Sequence, residues 1–224
     1  MSAPASGSQA VLSSRTESPV RVQTPHLDGE GAARGLVGVS WSILEPGVGL
    51  SSWTISSEAL GSTSGYVIRD RGSSSVTTAL VKLPPGTLYA LQMTFTDMLG
   101  RSSTTQVGKV LVPYDDRWSA LHYSGHWQHL KQAGAWLDTV SRAGAGARVS
   151  VTLDAGRPLF LLRATRDAAQ VEVRAGVLRQ VFAVAPGSSI APRLIAAGDH
   201  SHRGTVSLRV LRGTIELDGV AVEH

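Results

Sequence analysis

The sequence predicts an all-β fold of two tandem β-sandwich domains. Three observations carry this expectation. Apolar and polar residues alternate along short runs, Gly/Pro/Ser/Asp clusters separate the runs, and the pattern changes at Pro113. Alternation at period two sends one set of side chains into a core and the other into water. Strands of this length between turn signals build sandwiches or barrels.

Taken in order, Met1 to Pro19 is Ser/Ala/Pro-rich and lacks an apolar signal-peptide core, so residues 1–17 read as a flexible arm with no classical secretion signal. The first domain is expected over 18–112. Its strands are read at Leu36 to Ser42, Gly65 to Arg69, Leu88 to Thr96 and Gln106 to Val112. Turns are read at Glu45-Pro46-Gly47, Gly61 to Gly65, Pro84-Pro85-Gly86 and Asp97 to Gly100. Val112-Pro113-Tyr114-Asp115-Asp116 closes the domain, because proline cannot continue a central ladder. The second domain is expected over 113–224. Its strands run from Arg148 to Leu153, Pro158 to Ala164, Gln170 to Ala175, Arg179 to Ala185, Thr205 to Leu211 and Thr214 to Val222. His129 to Val140 suits either a helical turn or a strand pair.

Composition bounds the function. Hydrophobic residues make up 42% of the 224 and charged residues 17%, enough for two cores. No apolar run is long enough to span a bilayer, so no membrane insertion is expected. With no cysteine, disulfide scaffolds and thiolate metal sites are excluded. The net charge of +4 comes from scattered arginines rather than a basic block, which argues against a nucleic-acid partner. No nucleophile elbow, phosphate loop or zincin motif is present, and the isolated acids and hydroxyls form no readable catalytic set, so the chain reads as a non-enzyme.

Three segments of the first half carry a family likeness. Val37-Gly38-Val39-Ser40-Trp41 matches a second strand ending in a core tryptophan. Leu83-Pro84-Pro85-Gly86-Thr87-Leu88-Tyr89 matches a loop into a tyrosine corner. Thr96-Asp97-Met98-Leu99-Gly100-Arg101-Ser102 matches the last hairpin. On these the first half resembles fibronectin type III and related immunoglobulin-like domains, which implies core roles for Trp41 and Tyr89 and a spacer or interaction module. In the second half, Tyr114-Asp115-Asp116-Arg117, Tyr123-Ser124-Gly125-His126-Trp127, the Gly-Ala-rich Gly144 to Val151, His200 to Val210 and Leu217 to Val222 follow one another in order. These parts resemble the galactose-binding-like jelly roll of carbohydrate-binding modules, as found in actinobacterial extracellular or phage tail proteins. The resemblance implies glycan binding and a core place for Trp127. Val171-Glu172-Val173-Arg174-Ala175-Gly176 departs from it, lacking the aspartate of the module's Val-x-Val-Asp-Gly segment.

Aromatic faces stack on sugar rings, and the aromatics concentrate between Trp118 and Trp136. Trp118, Tyr123 and Trp136 are therefore the expected ligand contacts. Asp115 and Asp116 are candidate calcium ligands, since hard cations take carboxylate oxygens; no other cofactor is expected. His122, His126 and His129, and the pair His200 and His202, read as surface histidines.

The function expected is a non-catalytic binding or adhesion protein, a phage tail or fibre component presenting a glycan-binding domain. The alternative is a purely structural virion subunit, a decoration or tail-assembly protein with no glycan ligand. The partners expected are a cell-surface glycan or neighbouring particle subunits in an oligomer or larger assembly. The expected location is extracellular or in a virion.

Overall fold

The structure is a computed structural model that describes residues 26–28, 34–43, 49–73, 76–186, 193–196 and 202–224. The expected N-terminal arm, the Glu45-Pro46-Gly47 turn and His200 lie outside the described residues. The fold is all-β, and a 3-10 turn at Trp136–Asp138 interrupts the strands.

The first half runs β1 His26–Asp28, β2 Val37–Ser40, β3 Leu50–Ala59, β4 Val67–Ser73, β5 Thr78–Val81, β6 Thr87–Asp97 and β7 Ser102–Val112. Strands β1, β2 and β5 form one sheet; β4, β3, β6 and β7 lie side by side in the other. Strand β6 shows why the sequence folds this way. Tyr89, Leu91, Met93 and Phe95 alternate with half-exposed residues and bury one face. They pack with Val37, Val39, Trp41, Trp53 and Ile55 into one cluster. Trp41 stands edge-on to Trp53, with ring centroids 5.0 Å apart. The Tyr89 hydroxyl donates to the Pro84 carbonyl at 3.1 Å, so the expected tyrosine corner is present.

The second half runs β8 Tyr114–Asp115, β9 His122–Ser124, β10 Trp127–Lys131, β11 Thr139–Gly144, β12 Arg148–Leu153, β13 Arg157–Ala164, β14 Ala169–Ala175, β15 Leu178–Val184, β16 Arg193–Ala196, β17 Gly204–Arg212 and β18 Thr214–Glu223. One sheet has the order β15-β14-β17-β12-β9. In the other, β18 lies between β11 and β13, with β10 and β16 outside them. A second cluster fills the space between these sheets, including Val149, Val151, Phe160, Leu162, Val171, Val173, Leu208 and Leu217. The segment His129 to Val140 resolves into the hairpin of β10 and β11. Its turn is tight enough to hold Leu137 at φ 53° and Asp138 at φ 55°.

Backbone bonds join the halves. Val222 N–H donates to the Gly86 carbonyl at 2.8 Å, and Thr87 Oγ1–H donates to the Val222 carbonyl at 3.1 Å. Val222 of β18 pairs in parallel with Thr87 of β6. Gly86 has φ 106°, and a Cβ there would lie 2.4 Å from the Tyr114 ring, so this crossing requires glycine.

Candidate functional site

The expected ligand aromatics stand first in the geometry. Trp118 lies flat on Tyr114, with centroids 3.7 Å apart and planes 9° from parallel, and the Tyr114 ring covers Gly86 of the first half. Trp136 packs against the first core cluster, and its backbone N–H donates to Asp218 Oδ1 at 2.9 Å. Tyr123 donates its hydroxyl to the Asp116 carbonyl and stands edge-on to Trp127 and His129. All three are half-buried, and each faces different neighbours. The structure therefore gathers Trp118 and Trp136 at the seam between the halves and keeps Tyr123 beneath β10. Trp127 differs from the expectation of a core residue. It is half-buried at the cluster's margin, and its Nε1–H faces the Ser124 and Arg148 carbonyls, each at 3.2 Å.

The aspartates follow Tyr114 and face Thr139 and Ser141 of β11. Asp116 is fully buried; Ser141 Oγ donates to its Oδ2, and Thr139 Oγ1 lies 2.5 Å from its Oδ1 and 3.0 Å from Asp115 Oδ1. One hydroxyl hydrogen is thus shared between two carboxylates. Burial pushes the Asp116 carboxyl up, opposed by the hydroxyls of Ser141 and Thr139. Asp115 Oδ2 accepts from the Arg117 backbone N–H at 3.2 Å, and no group of three or more metal-ligating side chains occurs among the described residues. His129 Nδ1 lies 2.7 Å from Ser141 Oγ. The hydroxyl stands between imidazole and carboxylate, whereas an activated serine needs the imidazole in the middle.

Asp218 gives a pH prediction. Burial pushes its pKa up to about 6, with the Trp136 N–H pulling down and Asp116 and Asp115 pushing further up. The folded state therefore holds this proton more tightly than the unfolded chain. The stabilisation is full below about pH 4 and is lost as pH rises through about 6. Asp218→Asn keeps an acceptor for Trp136 without the charge. It is expected to gain about 1–3 kcal/mol over the parent at pH 7.5 and nothing below pH 4, in urea melts across that range. A loss at pH 7.5 would show that the charged form is the one the fold uses.

A cleft of about 590 Å³ opens elsewhere, on the outer face of the sheet that carries β18. Register builds its floor: Arg142 of β11, Glu216 of β18 and Arg163 of β13 are cross-strand partners in one row. Gln132, Thr165, Arg166 and Thr214 complete the lining. Glu216 is buried, with 2% of its surface exposed. Arg142 donates to Glu216 Oε1 from Nε at 2.9 Å and from Nη2 at 2.5 Å, while Arg163 Nε donates to Oε2. Both carboxylate oxygens are engaged, so the guanidinium planes are fixed. Hydroxyls, an amide and oriented guanidinium groups around such a volume suit a small polar ligand. None of these residues was singled out from sequence. Their one signal was charge inside alternating strands, at Arg142, Arg163 and Glu216.

The second sheet carries a different charged face. Arg148, Arg209 and Glu172 are cross-strand neighbours, as are Arg174 and Arg179. Arg174 and Arg179 both clamp the buried Glu172, and the Arg174 guanidinium, first, and that of Arg179 hold its carboxyl below the usual range. This is where the departure from the module's Val-x-Val-Asp-Gly segment falls.

No family model matches the chain, and no curated protein matches it. Among solved structures it is similar to CsCBM6-3 of Clostridium stercorarium in complex with cellobiose, at 15% identity and a TM-score of 0.37, over 46% of this chain and 86% of that one. It is also similar to an exo-β-1,3-galactanase variant of Phanerochaete chrysosporium with β-1,3-galactotriose, at 12% identity and 0.40, over 90% of this chain and 56% of the enzyme. A third likeness is to a structure from work on carbohydrate-binding modules of the β-sandwich superfamily, at 12% identity and 0.29, over 89% of this chain and 98% of that one.

Proposed function

We propose that the chain is a non-catalytic glycan-binding protein whose second sandwich holds a saccharide in the cleft on β11, β18 and β13. The observation that carries this is the cleft itself: about 590 Å³, floored by guanidinium groups locked on Glu216 and rimmed by Gln132, Thr165 and Thr214. Sugar hydroxyls need paired donors and acceptors held in place, and a fixed floor lowers the ordering cost of binding. Trp118 and Trp136 are assigned to the seam between the halves, and the sugar to the cleft. Two folding units, 18–112 and 113–224, go with this reading. The sheet of β1, β2 and β5 facing that of β4, β3, β6 and β7, with its tyrosine corner, supports a fibronectin type III-like first unit.

The test is a glycan array followed by calorimetry on the best ligand. Gln132→Ala, a change outside both core clusters, is expected to weaken binding about tenfold or more while leaving the melting temperature unchanged. Unchanged affinity in that variant places the ligand elsewhere.

A second reading, a structural subunit of an extracellular particle or virion, is favoured by one feature. Among the described residues the edge strand β4 pairs on one side only, with β3, and Tyr66, Val67 and Ile68 are exposed around its start. Self-association in sedimentation velocity that Ile68→Lys abolishes would support it, and a monomer at high concentration would count against it.

A further inference from the structure

We infer that the saccharide held in the cleft is acidic, a sugar carrying a carboxylate that the cleft's arginines recognise. This rests on the glycan reading above and names the ligand class of that site. Three arginines and one glutamate line the cleft. Glu216 offsets one positive charge and leaves two. A neutral sugar filling the cleft would strip water from those guanidinium groups without replacing the lost charge interactions, which costs free energy. A carboxylate supplies the missing charge and accepts two parallel N–H bonds from a planar guanidinium.

The arginines differ in what they have left to give. Arg142 spends Nε and Nη2 on Glu216, and Arg163 spends Nε. Arg163 has 18% of its side chain exposed and Arg142 41%, so their remaining N–H groups reach the cleft while their stems are held. Arg166 is exposed on the turn after β13, at the cleft's edge, and takes no part in the Glu216 clamp. It is the residue placed to fork onto a ligand carboxylate. Thr165 and Thr214 lie beside it for ring hydroxyls. The recognition unit is thus a fixed cationic floor, one arginine free to close on the ligand, and hydroxyl partners.

The experiment compares matched oligosaccharides of galacturonic, glucuronic and mannuronic acid, each as free acid and as methyl ester, with the parent neutral oligosaccharides, by calorimetry on the full chain at two salt concentrations. At least one free acid is expected to bind about tenfold or more tighter than its own ester, with the gap shrinking as salt rises. Arg166→Gln is expected to close that gap by weakening the free acid more than its ester, and to leave the melting temperature unchanged. Arg209→Gln, on the opposite sheet, is expected to leave the gap intact. If neutral sugars bind and no acid exceeds its ester, the inference is overturned and the glycan reading stands. If no saccharide of any kind binds, both fall. If Arg209→Gln closes the gap and Arg166→Gln does not, the acid sits on the other sheet and the cleft assignment is overturned.

Discussion

Trp41→Ala is expected to destabilise the first sandwich by about 3–5 kcal/mol in urea denaturation. The indole is 5% exposed and packs edge-on to both Trp53 and Phe95, so truncation leaves a cavity that these two rigid rings cannot fill. Its Nε1–H has no hydrogen-bond partner within the described residues. The ring's role is therefore volume, and Trp41→Phe, which discards the unpaired donor, is expected to cost much less than alanine. Tyr89→Phe removes one hydroxyl bond and keeps the packed ring, for an expected loss of about 0.5–1.5 kcal/mol. Equal, negligible losses at both positions would contradict the core described above.

Glu216→Ala is the second large effect, expected at about 2–4 kcal/mol against the second sandwich. The carboxylate is buried and shared by Arg142 and Arg163, so its removal leaves two guanidinium groups facing each other across β18 with no anion between them. The loss stays below that of a fully buried pair because Arg142 is 41% exposed and regains water. Glu223→Ala is the internal control. Its partner Arg157 stands 3.4 Å away with both side chains well exposed, and such pairs are worth about 0–1 kcal/mol. The Glu216 variant is also expected to lose saccharide binding, because the cleft floor is no longer fixed.

In the second half, strands such as β12 and β14 were legible because their apolar positions alternate cleanly, whereas the short β8, β9 and β16 were not read. Strand β3 was not. Its sequence places Ser56 and Ser57 in buried positions, and Arg69 donates to Ser57 Oγ at 2.7 Å, so polar residues occupy places that alternation reserves for apolar ones. Strand β5 spans only Thr78–Val81, too short for a period to register. The aromatic segment was visible as composition, but not what its rings face. Stacking on Tyr114 and packing against the first cluster depend on how two halves meet, which local spacing does not encode. The cleft was hidden for a related reason. Glu216 lies 74 residues from Arg142 and 53 from Arg163, and only strand register brings them into one row. Strand β18 is buried on both faces from Ile215 to Val222, so period two could not mark one face as a site.

The most direct test of the cleft as the saccharide site is a backbone amide titration of the full chain by NMR, with the tightest oligosaccharide from the matched panel. Shifts are expected to concentrate on Gln132, Thr165, Arg166 and Thr214, with the seam at Trp118 and Trp136 unmoved. Shifts confined to the Trp118–Trp136 segment or to the face of Arg148 and Arg209, or saturation without movement at the cleft, would contradict the account.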